Sequence, residues 1–217
     1  MLAEALAASA AVTVLVTLAA RLVPSAHVAS AVGGVFLSAT WLLVFRRDDA
    51  SVARAGLALG GLVLAGPVDV RGLAARAARA SAWALAFAAL TFVPFYFGWV
   101  YLWRPQSPFA FAPPGQAFAS EVLGQLIIIA LPEEAFYRGY LQSRLDEVWA
   151  PRLRILGAPV GLGVVVASLV FAAGHLATIP EPARLAVFFP SLVFGWLRAR
   201  TGGIGAAVLF HALCNVY

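Results

Sequence analysis

The sequence predicts an all-α protein, a polytopic membrane helix bundle of seven or eight transmembrane helices. Three observations carry that prediction: a scarcity of charge, apolar runs of span length, and arginines gathered in or beside the connections. Of 217 residues, 62% are hydrophobic and only 12% charged, with a mean hydropathy of +0.90. A soluble domain keeps roughly a quarter of its residues charged, so part of this chain's solvent is a bilayer. The net charge of +5 comes from 15 arginines and no lysine. Their position near inter-helix connections is where anchoring at the cytoplasmic face puts them, so the basic excess reads as membrane topology and not as a nucleic-acid surface. Cys214, the single cysteine, excludes an intrachain disulfide and reads as a small packed side chain.

Apolar stretches at 6–22 and 27–45 each approach the ~20 residues that a spanning helix needs. The leading residues of the first contain Glu4 and no basic residue, so it is expected to be an uncleaved span and not a signal peptide. Arg46, Arg47, Arg54, Arg71, Arg76 and Arg79 follow, around a Gly-rich apolar piece at 56–68 broken by Gly66-Pro67. That piece is short for a span; a re-entrant or interfacial segment is expected, with a tilted extra helix as the alternative. Residues 81–103 form a further span with a kink at Pro94 and with Trp99 and Trp103 at an interface. A connection over 104–116 carries four prolines. A long helix over 117–148 comes next, then Arg152 and Arg154 in a turn, then spans over 158–178, 184–197 and 204–217. With seven spans the arginine-rich connections at 46–79, 144–154 and 198–200 share one face, which the positive-inside rule makes cytoplasmic. The chain divides into N-terminal membrane helices with an arginine-rich region (1–115) and a membrane core that carries the polar motifs (116–217), within a single integral domain.

Ionisable groups at bilayer depth cost ~2.5–3.5 kcal/mol each on insertion, so each requires a reason. The first cluster is Pro132-Glu133-Glu134-Ala135-Phe136-Tyr137-Arg138, directly after an apolar run. Glu134 and Arg138 are four apart in the favourable order for a helical ion pair, which leaves Glu133, about 100° around the helix, free for another task. The bland alternative is a helix end that emerges into water, since Gln142, Arg144, Asp146 and Glu147 follow. The second cluster, Phe171-Ala172-Ala173-Gly174-His175, ends an apolar helix; a lone His there is more often a packing residue. The third, His211-Ala212-Leu213-Cys214-Asn215, places His and Asn on one helix face, where an interhelical hydrogen-bond pair is the ordinary explanation. Depth joins the three. Glu133 and His175 each lie 21 residues from Arg154, on antiparallel helices, and His211 lies ten beyond Thr201 on a helix from the same face. With part of the 146–157 turn taken to lie outside the hydrocarbon, all three sit ~15–20 Å in from the cytoplasmic side at 1.5 Å per residue.

Glu133-Glu134-x-x-x-Arg138, Phe171-x-x-x-His175 and His211-x-x-x-Asn215, in this order and with Thr201-Gly202-Gly203 before the last, resemble the signature motifs of the CPBP family. These are the CAAX prenyl-protease type II and bacteriocin-processing (abortive-infection-like) membrane glutamic endopeptidases. The resemblance covers about 116–217; the preceding half is matched only in being hydrophobic, and the sequence ends two residues after Asn215. The resemblance implies a metal-independent intramembrane endopeptidase without cofactor, in the bacterial cytoplasmic membrane, acting on a membrane-anchored protein or peptide. It implies that Glu133 with His175 activates water, that His211 and Asn215 supply oxyanion donors, and that Glu134 and Arg138 brace the site. Substrates include CAAX-like proteins, C-terminal sorting signals and leader peptides. Two other readings compete. A zinc-dependent membrane peptidase lacks a His-Glu-x-x-His helix here. A non-catalytic scaffold, immunity protein or transporter would use the polar residues for packing or proton coupling.

Overall fold

The computed structural model describes residues 1–103 and 116–217; the proline-rich connection at 104–115 lies outside them. The chain is nearly all-α, 81% helical, with eight helices among the described residues. Helix α1 (Leu2–Leu22) ends where Val23 takes extended geometry before Pro24, whose ring disfavours helix in the residue before it. Helix α2 (Val28–Thr40) continues through a wide π-type turn, Trp41–Phe45. Helix α3 (Asp49–Arg54) is capped by Asp48, whose carboxylate accepts from the Ser51 N–H at 2.6 Å; that bond holds the exposed acid below its usual pKa. Helix α4 (Val70–Gly98) is capped by Asp69 on the Gly72 N–H. Helix α5 is the run at 116–148. A two-stranded hairpin, β1 (Leu153–Ile155) with β2 (Ala158–Val160), separates it from α6 (Leu162–Thr178). Helices α7 (Phe188–Thr201) and α8 (Gly205–Val216) complete the bundle.

Three segments are long and apolar enough to cross a membrane, Leu2–Leu22, Ser25–Phe45 and Val70–Leu102, and α6 and α8 are shorter apolar helices. In the third segment only 6% of the apolar window is buried within the protein. Its large side chains, such as Leu85, Leu90 and Phe95, point outward, which a lipid solvent tolerates and water does not.

Three expectations change in detail. The arginine-rich stretch before Ser81 is helix and not a connection, because α4 begins at Val70. Its alanines are the best helix formers and Asp69 satisfies the first turn. The turn at Arg154 is a β-hairpin, with Leu156 and Gly157 both at positive φ, 49° and 81°, as a tight hairpin turn requires. The piece at 56–68 is neither a span nor a helix, apart from one 3₁₀ turn at Leu59–Gly61.

That piece instead forms a plug against the end of the bundle. The Ile204 N–H donates to the Gly56 carbonyl at 3.1 Å, and a Cβ on Gly56 (φ 71°) would meet the Gly203 Cα at 3.1 Å. Only glycine permits that backbone approach. Arg198 donates to the Arg54 carbonyl at 2.7 Å and to Ser143 Oγ at 2.8 Å, so the arginine-rich connections meet at one end of the molecule. Leu57 is buried against α5, where a Cβ on Gly139 would lie 2.6 Å from its Cδ2. Gly139→Ala is therefore expected to destabilise the protein by about 1–3 kcal/mol. Leu57→Ala should cost less in that background than in the native one, because the two side chains compete for one space. Unfolding of the four variants in one detergent measures both effects.

Candidate active site

Helix α5 buries three charged side chains within two turns: Glu133, Glu134 and Arg138. Such groups are tolerated in an apolar interior only when paired and hydrogen bonded. Arg138 Nη1 donates to Glu134 Oε1 at 3.0 Å, and both side chains are essentially inaccessible, at 1% and 0% exposure. Arg138 Nη2 donates to the Ser191 carbonyl at 3.1 Å and to Ser191 Oγ at 2.5 Å. The guanidinium also lies over the rings of Phe171, 4.7 Å from the centroid, and Phe194, 5.0 Å away. One turn on, Gln142 Nε2 donates to the Gly195 carbonyl at 3.2 Å. Because Ser191 and Gly195 repeat the spacing of Arg138 and Gln142, α5 and α7 run parallel in a fixed register. Gln142 is fully buried, so this stretch of α5 is interior and does not emerge into water.

The second bond to Glu134 comes from α8. His211 Nδ1 lies 2.8 Å from the same Oε1, and its ring stacks on Phe194 at 4.7 Å with 14° between planes. A carboxylate held by Arg138 is an acceptor only, so Nδ1 carries the proton and donates it. That leaves Nε2 directed toward Glu133, 3.9 Å from its Oε2. Glu133 Oε2 is buried and makes no hydrogen bond among the described residues. Two adjacent carboxylates thus have different surroundings: Glu134 serves two donors, and Glu133 faces an imidazole nitrogen without a bond to it.

His175 is half-buried near the end of α6, with its ring 4.4 Å from Phe171. Nδ1 donates to the Phe171 carbonyl at 3.0 Å, which leaves Nε2 free as an acceptor. Arg138 over Phe171, and Asp146 against Gly163, set one antiparallel register between α5 and α6. In that register His175 sits at the level of Glu134, one turn beyond Phe171. Asn215 lies one turn beyond His211 on α8, exposed, and without a hydrogen bond among the described residues. The structure therefore gathers Glu133, Glu134, Arg138 and His211 into one cluster, links His175 to it through Phe171, and leaves Asn215 at its edge.

The local backbone around the glutamates is unusual. Wide π-type turns, Gly124–Ala130 and Ala135–Gln142, flank a short α-helical stretch, Leu131–Glu134. Pro132 has no N–H to give the Ile128 carbonyl one turn back, so a regular ladder cannot pass through it. Sequence reasoning does not reach Ser191 or Phe194, which lie in the ordinary apolar run Phe188-Phe189-Pro190-Ser191-Leu192-Val193-Phe194-Gly195. The one available signal is a small polar residue at a depth where Arg138 needs a second acceptor. Among the described residues, no three His, Cys, Asp or Glu side chains converge as a metal ion requires.

Residues 115–217 match the family model described as type II CAAX prenyl endopeptidase Rce1-like, a stretch that contains the whole cluster. No curated protein and no solved structure matches the chain. The charged cluster of this apolar, helical chain thus lies within residues 115–217, which form an Rce1-like domain of the type II CAAX prenyl endopeptidase, CPBP family.

Proposed function

We propose that this protein is a metal-independent glutamic endopeptidase that cleaves a membrane-anchored protein or peptide within the bilayer, with Glu133 as the base that activates water. The observation that carries the reading is the inequality of the two adjacent carboxylates. Glu134 accepts from Arg138 and His211 at Oε1 and has only Oε2 without a partner, whereas Glu133 accepts no hydrogen bond among the described residues and its buried Oε2 lies 3.9 Å from His211 Nε2. A water to one side of that gap can reach both atoms. Glu133 takes its proton, with the free Nε2 of His175 as a second acceptor at the same level, and the hydroxyl oxygen bonds to the scissile carbonyl carbon. The carbonyl oxygen becomes an oxyanion, to which the unengaged Asn215 amide donates, with His211 as the second donor when its Nε2 as well as its Nδ1 bears a proton. Collapse of the tetrahedral species breaks the C–N bond, and Glu133 returns its proton to the leaving amine.

Residues 116–217 are the catalytic core on this reading, and α1, α2 and α4 form a wall that keeps it in the bilayer. The arginine-rich end faces the cytoplasm of a bacterial cell by the positive-inside rule. CAAX-like proteins, C-terminal sorting signals and leader peptides all present the required anchored peptide bond.

Three outcomes test the assignment. Glu133→Gln, nearly isosteric, should lower cleavage by at least about 10²-fold while the melting temperature in detergent stays unchanged; near-native turnover would sink the assignment. Activity should survive exhaustive EDTA or phenanthroline, and loss on chelation with recovery on added zinc would revive the metallopeptidase reading. Bracing and chemistry also separate. Arg138→Leu should destabilise by about 3–5 kcal/mol, because it leaves Glu134 buried without its ion-pair partner, whereas His175→Ala and Asn215→Ala should slow turnover with little effect on unfolding.

A further inference from the structure

On the side of α7 away from the glutamates lies an apolar groove of about 900 Å³, within the ~300–1,000 Å³ typical of ligand pockets. Helix α7 turns Ser191 and Phe194 toward Arg138 and His211, and turns Leu192 and Trp196 into the groove. Phe87 of α4, Val165 of α6 and Trp149 form the remaining walls. The β1–β2 hairpin borders the groove and is fixed to it by one bond, from Trp196 Nε1 to the Ile155 carbonyl at 2.9 Å.

The hairpin has an unusual surface. Leu153, Ile155 and Leu156 are 62%, 50% and 74% exposed, and exposed Arg152 and Arg154 alternate with them. Positive φ at both turn residues ordinarily selects Asn-Gly, yet here the tip is Leu156-Gly157. Three large apolar side chains with two cations on a membrane protein describe an element seated in the lipid headgroup region. Arg152 and Arg154 have no ion pair among the described residues, and the neighbouring Glu147 is taken by Arg144 at 2.6 Å. Arg152 itself lines the groove. A cation at the mouth of an apolar groove calls for a ligand that is anionic at one end and aliphatic along its length.

We propose that the groove holds an acyl chain of an anionic phospholipid whose headgroup is bound by Arg152 and Arg154. The bound lipid supports α7 from behind, on the face opposite to the one that holds Arg138 and His211. The assignment rests on the groove and the hairpin and is independent of the peptidase reading.

The test uses the full chain in phosphatidylcholine nanodiscs doped with phosphatidylglycerol or phosphatidylcholine carrying brominated acyl chains, which quench nearby tryptophans. The groove signal is the part of the quenching lost in Trp149→Phe. Each arginine near an anionic headgroup favours it about fivefold. Brominated phosphatidylglycerol should therefore quench at a mole fraction about 25-fold lower than brominated phosphatidylcholine. The exposed double variant R152Q/R154Q should abolish that preference, and R152K/R154K should keep most of it. Val165→Phe should fill the groove and remove quenching by both lipids. Equal quenching by the two lipids in the native protein would overturn the proposal. So would a phosphatidylglycerol preference that survives in R152Q/R154Q, or a groove signal displaced by a farnesylated peptide but indifferent to headgroup charge.

Discussion

The rest of the molecule depends on one buried ion pair, Glu134 with Arg138. Both residues lie on α5, but neither is satisfied by the other alone. Arg138 needs the Ser191 carbonyl and hydroxyl from α7 and the faces of Phe171 and Phe194 from α6 and α7. Glu134 needs His211 from α8. Desolvation offsets most of the Coulomb attraction in such a pair, so its net contribution to stability is small. Its effect is on arrangement. A bundle of apolar helices in lipid gains little by choosing one packing over another, since lipid tails are as apolar as leucine. Alternative packings that leave either charge without its partners are costly, and three helices are thereby fixed around α5.

Close backbone contact makes that arrangement possible. A Cβ on Gly195 of α7 would lie 3.0 Å from Gln142 Oε1 and 2.8 Å from Val164 Cγ1, at the place where α5, α6 and α7 meet. On the other side, Gly33 of α2 lies against the Ile128 carbonyl, where a Cβ would be 2.5 Å away. That carbonyl is the one to which Pro132 cannot donate. The irregular stretch of α5 is thus covered by protein, as non-regular backbone at membrane depth must be.

Much of this was legible in the chain, for reasons that differ by residue. Ion-pair spacing at Glu134 and Arg138 is a local property, and local periodicity identifies it. Equal depth for Glu133, His175 and His211 follows from counting along antiparallel helices, and the α5–α6 register agrees with it. What the pattern does not contain is rotation about each helix axis. Counting places His175 and His211 alike, yet only His211 meets both glutamates, whereas His175 turns Nδ1 to its own helix. Asn215 shares a face with His211 but sits at the exposed edge. The segment at 56–68 misleads because hydropathy counts composition, whereas glycines at positive φ fold it back as a plug. Ser191 was hidden because one hydroxyl in an apolar helix has many uses, and its purpose exists only once Arg138 lies beside it.

The two histidines show how a shared spacing yields different chemistry. Each has Nδ1 tied down and Nε2 free, so both rings are held in a defined orientation before any substrate arrives. The anchors are not equivalent. The Phe171 carbonyl holds His175 by Nδ1, which on the proposed chemistry suits an acceptor at Nε2. The Glu134 side chain, itself bonded to Arg138, holds His211 as the acid of a hydrolase triad holds its histidine, which on the proposed chemistry suits a donor to a developing oxyanion. On the proposed chemistry Glu134 therefore acts at a distance. Arg138 orients it, it orients His211, and Glu133 stays unengaged beside them to receive the proton of water.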